Sequence, residues 1–367
     1  KNSMIEYRNK FETENYMKTI CVIFGGRSPE HDISCLSAAS IIRNLDKSKY
    51  NILTIGITKD GRWFLFDGSA DDIESGNWEN GKLKKAFISP DTSDGGIIVF
   101  DGDKISTVKT DVIFPVLHGE YGEDGTVQGL FELSGVKYVG VGVAGSANAM
   151  DKTLSKIVFA NAGIPQADWV TVAAGDDIDE KISEIENKVG YPCFVKPAST
   201  GSSVGVGKAT DRQSLIEAVK GALTFGQKVL VEENIDGQEV ECSVLGNINA
   251  DAAEVGEIIP TVEFYDFDAK YKDDSTTLRI PAKISSEARE QIREYAVRAF
   301  KALDGQGLSR VDFFVRKSDG KVILNEINTL PGFTSISMYP KLWKAMGIEY
   351  SDLLDRLIEL AEKRVKL

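Results

Sequence analysis

The run from Thr19 to Gly26, TICVIFGG, limits what this chain can become more than any other stretch. Its apolar residues are consecutive rather than alternating, as in a strand buried on both faces. It runs straight into two glycines and then into RSPEHDISCLSAASIIRNL, which reads as a helix. Ser28 suits the N-cap, Pro29 the first helical position, and Glu30 falls in the first turn. Strand, Gly-Gly, helix is the opening of an open α/β sheet, whose ligands sit beyond the carboxyl ends of its strands. Glu30 is therefore placed at a crevice, with interaction with the helix dipole as its alternative role.

The segment TDVIFPVLHGEYGEDGTVQGLFELSGVKYVG repeats this logic: a buried strand ends at His118-Gly119, and a loop leads to a helix from about Thr126. His118, one of 2 histidines, is either a core or capping residue or a hydrogen-bond partner for a substrate or for Glu30. Between these two units, Tyr50 to about Phe100 alternates short strands with turns and reads as scaffold.

At 367 residues and 42% hydrophobic content, two or three domains with a sizeable core are expected. No apolar run reaches the roughly 18 residues needed to span a membrane, and the start lacks the apolar core of a signal peptide. Residues 1–17 read as a leader, disordered or not native, and cytoplasmic location is the expectation. Cys21, Cys35, Cys193 and Cys242 form no CxxC pair and read as buried free thiols. A net charge of −13 and a pI near 4.9 argue against a nucleic-acid partner. A polyanionic ligand would need isolated, well-placed Lys and Arg residues.

After Gly145 the composition changes. SANAMDKTLSKIVFANAGIP reads as one helix bounded by Gly163 and Pro165, with Lys152 near its start. YPCFVKPASTGSSVGVGKA reads as a strand delivering Lys196, then a glycine and serine loop that contains Ser202 and Ser203. Such a loop covers phosphates with N–H groups and hydroxyls, or it is a plain glycine-rich hairpin. It does not match G-x-x-x-x-G-K-[ST]. KVLVEENIDGQEVECSVLG reads as a strand pair in which Glu232 and Glu239 flank a turn. Acceptors at a strand edge suit a base amino group and ribose hydroxyls, and a solvated acidic hairpin is the alternative. The irregular, aromatic TVEFYDFDAKYKDDSTTLRIPAKI reads as a lid with Lys270 and Tyr271 as its working residues. SSEAREQIREYAVRAFKALDG is a helix capped by Ser286, and an amphipathic helix from Ser351 closes the chain.

The chemistry concentrates in SRVDFFVRKSDGKVILNEINTLPGFTSIS, residues 309–337. Two strands joined at Ser318-Asp319-Gly320 would project Asp312, Glu326 and Asn328 from one face, because alternate side chains share a face. Two carboxylates and an amide with room for water suit Mg²⁺, and an ordinary solvated hairpin face is the alternative. Arg310 could stabilise negative charge nearby, and Gly332 after Pro331 lets a backbone N–H approach a substrate.

In this order and spacing, GGRSPEHDIS, HGEYGEDGTVQG, MDK, VKPASTGSSVGV, EFYDFDAKY, SRVDFF and NEINTLPGFTSIS resemble the D-alanine–D-alanine ligases of the ATP-grasp superfamily, from about Lys18 to the C-terminus. The resemblance implies an α/β fold of three domains. These are an N-terminal open α/β substrate-binding domain at 18–143, a central ATP-grasp subdomain at 144–231 and a C-terminal one at 232–367, both α+β. It implies ATP as co-substrate and two Mg²⁺ ions, with Mn²⁺ able to substitute, on Asp312, Glu326 and Asn328. Lys152 and Lys196 would meet the phosphates under the loop of Ser202 and Ser203, with Glu232 at adenine and Glu239 at ribose. Glu30, Ser202 and Tyr271 would surround the first D-alanine, with His118 and Lys270 near substrate. Arg310 and the Gly332 N–H would stabilise an oxyanion, and Ser337 would bind the second substrate's carboxylate. A homodimer is also implied. Glu233 stands where some relatives carry a lysine near adenine.

The implied activity is ATP-dependent ligation of two D-alanine molecules through an acyl phosphate for peptidoglycan precursors. D-Serine or D-lactate as second substrate is the alternative. Similar enzymes that make the ester tend to lose the lid tyrosine, and several variants carry arginine where this chain has Met338, so Tyr271 and Met338 favour D-alanine. A catalytically silent nucleotide-binding protein is the reading from another class; the retained metal ligands and cations argue against it.

Overall fold

The computed structural model describes residues 17–259, 277–334 and 336–364. Three sheets carry the chain. The first has eight strands in the order β6-β5-β4-β3-β2-β1-β7-β8. They are β1 (Lys18–Gly25), β2 (Tyr50–Ile57), β3 (Trp63–Phe66), β4 (Leu83–Ile88), β5 (Gly96–Asp101), β6 (Lys104–Lys109), β7 (Val112–Val116) and β8 (Lys137–Tyr138). β1 runs parallel to β2 and β7, and β7 to β8. The remaining pairs are antiparallel. β1 lies inside the sheet, and Ile20 to Phe24 are all completely buried, which accounts for the unbroken apolar run.

Helix α1 (His31–Asn44) packs on β1 and β7, α2 (Ala70–Glu74) packs on α1, and α3 (Thr126–Ser134) follows β7. Ser28 does not cap α1. Its Oγ accepts from the Glu30 N–H (3.1 Å) and donates to the His118 carbonyl (2.7 Å), so residues 28–30 form a turn that ties the β1 loop to the β7 loop. The helix starts at His31, with Glu30 at the N-cap position and no side-chain cap. The Glu30 side chain is thereby left for other work.

The second sheet is antiparallel, β11-β10-β12-β9, built from β9 (Trp169–Ala173), β10 (Cys193–Pro197), β11 (Gly207–Ala209) and β12 (Lys228–Glu233). Two helices precede it where the sequence reads as one: α4 (Val143–Met150) and α5 (Lys152–Asn161). The break is Asp151, whose extended backbone (ψ 100°) and carboxylate, accepting from the N–H groups of Thr153 and Leu154, start a new helix. Lys152 becomes the first residue of α5. Helices α6 (Ile178–Lys188) and α7 (Arg212–Ala222) cover the sheet.

The third sheet is antiparallel, β15-β14-β13-β16-β17, from β13 (Gly237–Gly246), β14 (Ala250–Ile259), β15 (Thr277–Arg279), β16 (Gly307–Arg316) and β17 (Val322–Asn328). The strand pair expected around Glu232 and Glu239 does not form. β12 already has β10 and β9 on its two edges, and β13 has β14 and β16, so the chain crosses between sheets at residues 234–236. Helix α8 (Ser286–Ala302) is capped by Ser285 rather than Ser286, with Ser285 Oγ accepting from the Ala288 N–H (3.1 Å).

Two further helices, α9 (Met338–Ala345) and α10 (Tyr350–Glu362), complete the described chain. α10 contacts α1, β7 and β8 as well as α9 and β16, and buries Leu353, Leu354, Leu357 and Ile358 completely. At about 1.5–3 kcal/mol per side chain, this helix fastens the end of the chain to the first sheet. Gly140 to Gly145 has the G-x-G-x-x-G spacing, yet a Cβ at Gly145 would come 2.3 Å from the Leu303 carbonyl oxygen. Its glycines serve close packing. Among the described residues no helix is long and apolar enough to cross a membrane.

Candidate active site

A cavity of about 710 Å³ lies where loops and strands of all three sheets meet. Glu30 reaches it from the end of β1, and His118 and Glu123 from beyond β7. Lys196 comes from β10, Glu239 from β13, Arg310 and Asp312 from β16, and Glu326 and Asn328 from β17. Lys152, Ser202, Ser203, Gly332, Ser337 and Met338 line it as well. Of the described residues given a site role by sequence, Glu232 alone does not. Lys270, Tyr271 and the lid segment lie outside the described residues.

The acidic face follows from strand register. Asp312 stands opposite Glu326 on one side and Glu241 on the other, and Arg310 opposite Asn328. Three carboxylates side by side would repel one another. Arg310 offsets this: its Nε and Nη2 donate to the two Asp312 oxygens (2.7 Å each), and its Nε lies 3.1 Å from Glu241 Oε2. Asn328 Nδ2 donates to Asp312 Oδ2 at 3.0 Å, which turns its carbonyl oxygen away from Asp312. The donor set of two carboxylates and an amide matches a hard cation in kind. Among the described residues no three His, Cys, Asp or Glu side chains converge on one point. Mg²⁺ completes such a set with phosphate oxygens and water.

At the other end of the cavity, Ser202 Oγ donates to Glu30 Oε1 at 2.5 Å, joining the glycine and serine loop to the N-terminus of α1. Ser202 and Ser203 both hold positive φ (48° and 60°), which non-glycine residues adopt rarely. Gly119 is required here: its φ is +72°, and a Cβ would come 2.5 Å from Glu30 Oε2. Lys152 Nζ donates to the Thr200 carbonyl (2.7 Å) and holds the loop from below.

Glu232 is not the strand-edge acceptor that sequence suggests. It sits on an inner strand with its carboxylate buried between Lys196 and Lys156, the latter at 3.1 Å. Burial would raise its carboxyl, but the two ammonium groups outweigh burial and hold it at about 2. Burial likewise works to lower the Lys196 ammonium, and Glu232 and Glu326 reverse the sign to a raised value. Sequence reasoning missed Lys156. Lys152 and Lys156 stand four apart on α5, an arrangement that is unfavourable for like charges unless an anion compensates, and that was the available clue.

His118 does not bond to Glu30. Its Nδ1 lies 2.9 Å from the Leu330 carbonyl oxygen and its Nε2 3.3 Å from Ser37 Oγ. Burial lowers its pKa against the opposing pull of Glu30 and the Leu330 carbonyl. Glu123 was also missed. Its Oε2 accepts from the Gly119 N–H (2.8 Å) and its Oε1 from the Leu330 N–H (3.0 Å). Burial, then the charge of Glu30, push this carboxyl up to about 8. An acid inside a glycine-rich loop at a strand's carboxyl end was the clue. Ser337 Oγ accepts from the Thr334 N–H (3.0 Å), and Met338 is buried. Lys341, one turn along α9, also lines the cavity, and burial lowers its ammonium.

Comparison with known proteins matches the family "D-ala D-ala ligase N-terminus" to residues 19–141 and "D-ala D-ala ligase C-terminus" to residues 158–359. A D-alanine–D-alanine ligase of Ruminiclostridium cellulolyticum is 52% identical over 362 residues, spanning 95% of this chain and 96% of its own. That of Acetivibrio thermocellus is 51% identical over 363 residues, with the same coverage of 95% and 96%. Among solved structures, the VanG D-Ala:D-Ser ligase of Enterococcus faecalis superposes with a TM-score of 0.87 at 39% identity, covering 94% of this chain and 100% of its own. The D-alanine–D-alanine ligase of Coxiella burnetii superposes with a TM-score of 0.82 at 37% identity, covering 95% of each.

Proposed function

The chain belongs to the D-alanine–D-alanine ligase family, and from that premise we infer that it joins two D-alanine molecules with ATP, releasing ADP and phosphate, to supply peptidoglycan precursors. The fold is that of the ATP-grasp ligases. The observation that carries the reading is the Ser202–Glu30 hydrogen bond, because it closes a phosphate-type loop over a cavity that also holds Arg310, Asp312, Glu326 and Asn328.

A carboxylate is a poor electrophile, so the first D-alanine's carboxylate must take the γ-phosphoryl group before an amine can displace its oxygen. Glu30, itself held by Ser202, faces the position of the first substrate's ammonium group. Lys152 and Lys196 neutralise the phosphates, with Lys196 exchanging Glu232 for the nucleotide while Lys156 remains to balance Glu232. Ser203 belongs to the covering loop, and Glu239 accepts from the ribose. Mg²⁺, held by Asp312, Glu326 and Asn328, would supply charge neutralisation of the phosphate oxygens. When the second amine attacks, the new C–N bond forms, the C–O bond to phosphate breaks, and Arg310 with the Gly332 N–H stabilises the intervening oxyanion. Ser337 and the N-terminus of α9 receive the second carboxylate. The lid residues Lys270 and Tyr271 are assigned to closure, which keeps water from the acyl phosphate.

A homodimer and a cytoplasmic setting belong to the same proposal; the four cysteines are all buried free thiols. Light scattering of the purified chain tests the dimer. The non-catalytic reading is set aside, since relatives at 52% and 51% identity are named ligases. One observation favours a second reading of substrate choice: the neighbour with a TM-score of 0.87 is a D-Ala:D-Ser ligase. Buried, apolar Met338 next to Ser337 supports D-alanine instead.

The deciding experiment measures phosphate release from ATP and Mg²⁺ with D-alanine alone, then with D-serine or D-lactate added, and identifies products by mass. Dipeptide from D-alanine alone is expected. Predominantly mixed products would overturn the second-site reading while leaving the activation step standing. Asp312→Asn and Glu326→Gln should each lower kcat on the order of 100-fold or more with folding intact. Near-normal rates would remove the metal assignment.

A further inference from the structure

The loop after β17 is held at both ends by residues of the loop after β7, of helix α1 and of the last helix. At Leu330, the N–H donates to Glu123 Oε1 (3.0 Å), and the carbonyl accepts from His118 Nδ1 (2.9 Å). At Phe333, the N–H donates to Ser37 Oγ (3.3 Å), and the carbonyl accepts from the Tyr350 hydroxyl (2.6 Å). Ser37 Oγ in turn lies 3.3 Å from His118 Nε2. With Nδ1 donating to Leu330, Nε2 is the nitrogen that accepts from the Ser37 hydroxyl. The hydrogen bonds then form a closed ring from Phe333 through Ser37 and His118 back to Leu330. Pro331 and Gly332 are the only residues between the two anchored positions.

We propose that Glu123, with Ser37, His118 and Tyr350, is a positioning residue for the Gly332 N–H, clamping residues 330–333 so that this donor is aimed before substrate arrives. The proposal rests on the oxyanion role given to Gly332 above. A donor that need not reorganise during reaction is worth most in a buried site, and a displacement of about 1 Å is enough to cost on the order of 100-fold. Glu123 suits the task because both of its oxygens accept, one from Gly119 on the near loop and one from Leu330 on the far one. Carboxylate and neutral acid both offer two accepting oxygens. An amide offers one. Glu123→Gln therefore keeps the shape and loses one of the two bonds.

The test compares wild type with Glu123→Gln in two ways. Hydrogen exchange followed by mass spectrometry of a peptide spanning residues 329–334 should speed up in the variant. In steady state, kcat should fall on the order of 10-fold to 100-fold while KM for ATP stays within about twofold. Phosphate released per dipeptide should rise above one, because acyl phosphate that forms but is attacked slowly is lost to water. That uncoupling separates aiming of the donor from general loss of stability. Unchanged exchange overturns the clamp, and faster exchange with wild-type kcat and unit stoichiometry overturns its role in positioning. Should Glu123→Gln fail to fold, Tyr350→Phe, which deletes one donor to Phe333, carries the same measurements with the same reading. A wild-type chain that makes no dipeptide would sink the functional assignment instead. The exchange difference would persist in that case and tells the two failures apart.

Discussion

Two carboxyls of the same fold, the buried Glu232 and the half-buried Glu123, meet opposite fates. Burial pushes both toward the neutral acid. For Glu232 the ammonium groups of Lys196 and Lys156 outweigh it and hold the value at about 2. Glu123 receives two backbone N–H groups, with the like charge of Glu30 nearby, and rises to about 8. Hydrogen bonds to a carboxylate oppose the cost of burying it, but here only formal charge reverses that cost. Glu232 thus holds its negative charge against two buried cations, Lys196 and Lys156. Glu123 acts through its two accepting oxygens.

The largest test of this contrast is Glu232→Gln. It leaves Lys156 and Lys196 buried without their anion and should cost about 3–5 kcal/mol in urea unfolding. A loss under about 1 kcal/mol would mean that the two lysines find other partners and that Glu232 is not their counter-ion. Lys156→Met is expected to cost less, about 1–3 kcal/mol, because Lys196 still faces Glu232. Replacing Glu123 by Gln should cost about 1–2 kcal/mol at neutral pH, the price of one N–H left without an acceptor.

The pH dependences should have opposite signs. Glu232 is held below its ordinary 4.5, so its contribution is present above that value and is lost as pH falls toward about 2. Glu123 is raised above 4.5, so its contribution is complete below that value and is lost as pH rises through about 8. The stability difference between wild type and Glu123→Gln should therefore shrink between about pH 5 and about pH 8. Glu30, His118 and Arg310 line the same cavity and are present in both proteins. A difference that grows over this range would show that Glu123 is ionised and salt-linked. The smallest effect expected is that of Tyr350→Phe, about 0.5–1.5 kcal/mol for one hydrogen bond to Phe333.

Much of this was readable in the chain itself. The buried β1, the strands carrying Asp312 and Glu326, the glycine and serine loop and the final amphipathic helix all follow from local periodicity and turn chemistry. Errors arose where a side chain had more than one customer. Ser28 looks like a helix cap by position but is spent on His118. Ser285 and Ser286 are equal candidates in sequence, and geometry picks the first. Asp151 divides a stretch whose composition is helical throughout. Glu232 and Glu239 are close in sequence, yet each strand is paired on both edges within a different sheet.

The sequence by itself determined which residues share a face and which types of donor and acceptor are available, because strand and helix periods act over a few residues. It also supplied the ordered motifs that mark the family. Tertiary structure alone decided partnership. Ser202 meets Glu30 across 172 positions and Leu330 meets Glu123 across 207, and no local period reaches that far. Whether a buried acid is ionised depends on what those distant neighbours carry. Glu232 and Glu123 are alike as letters in the chain and differ only in the charges folding places beside them.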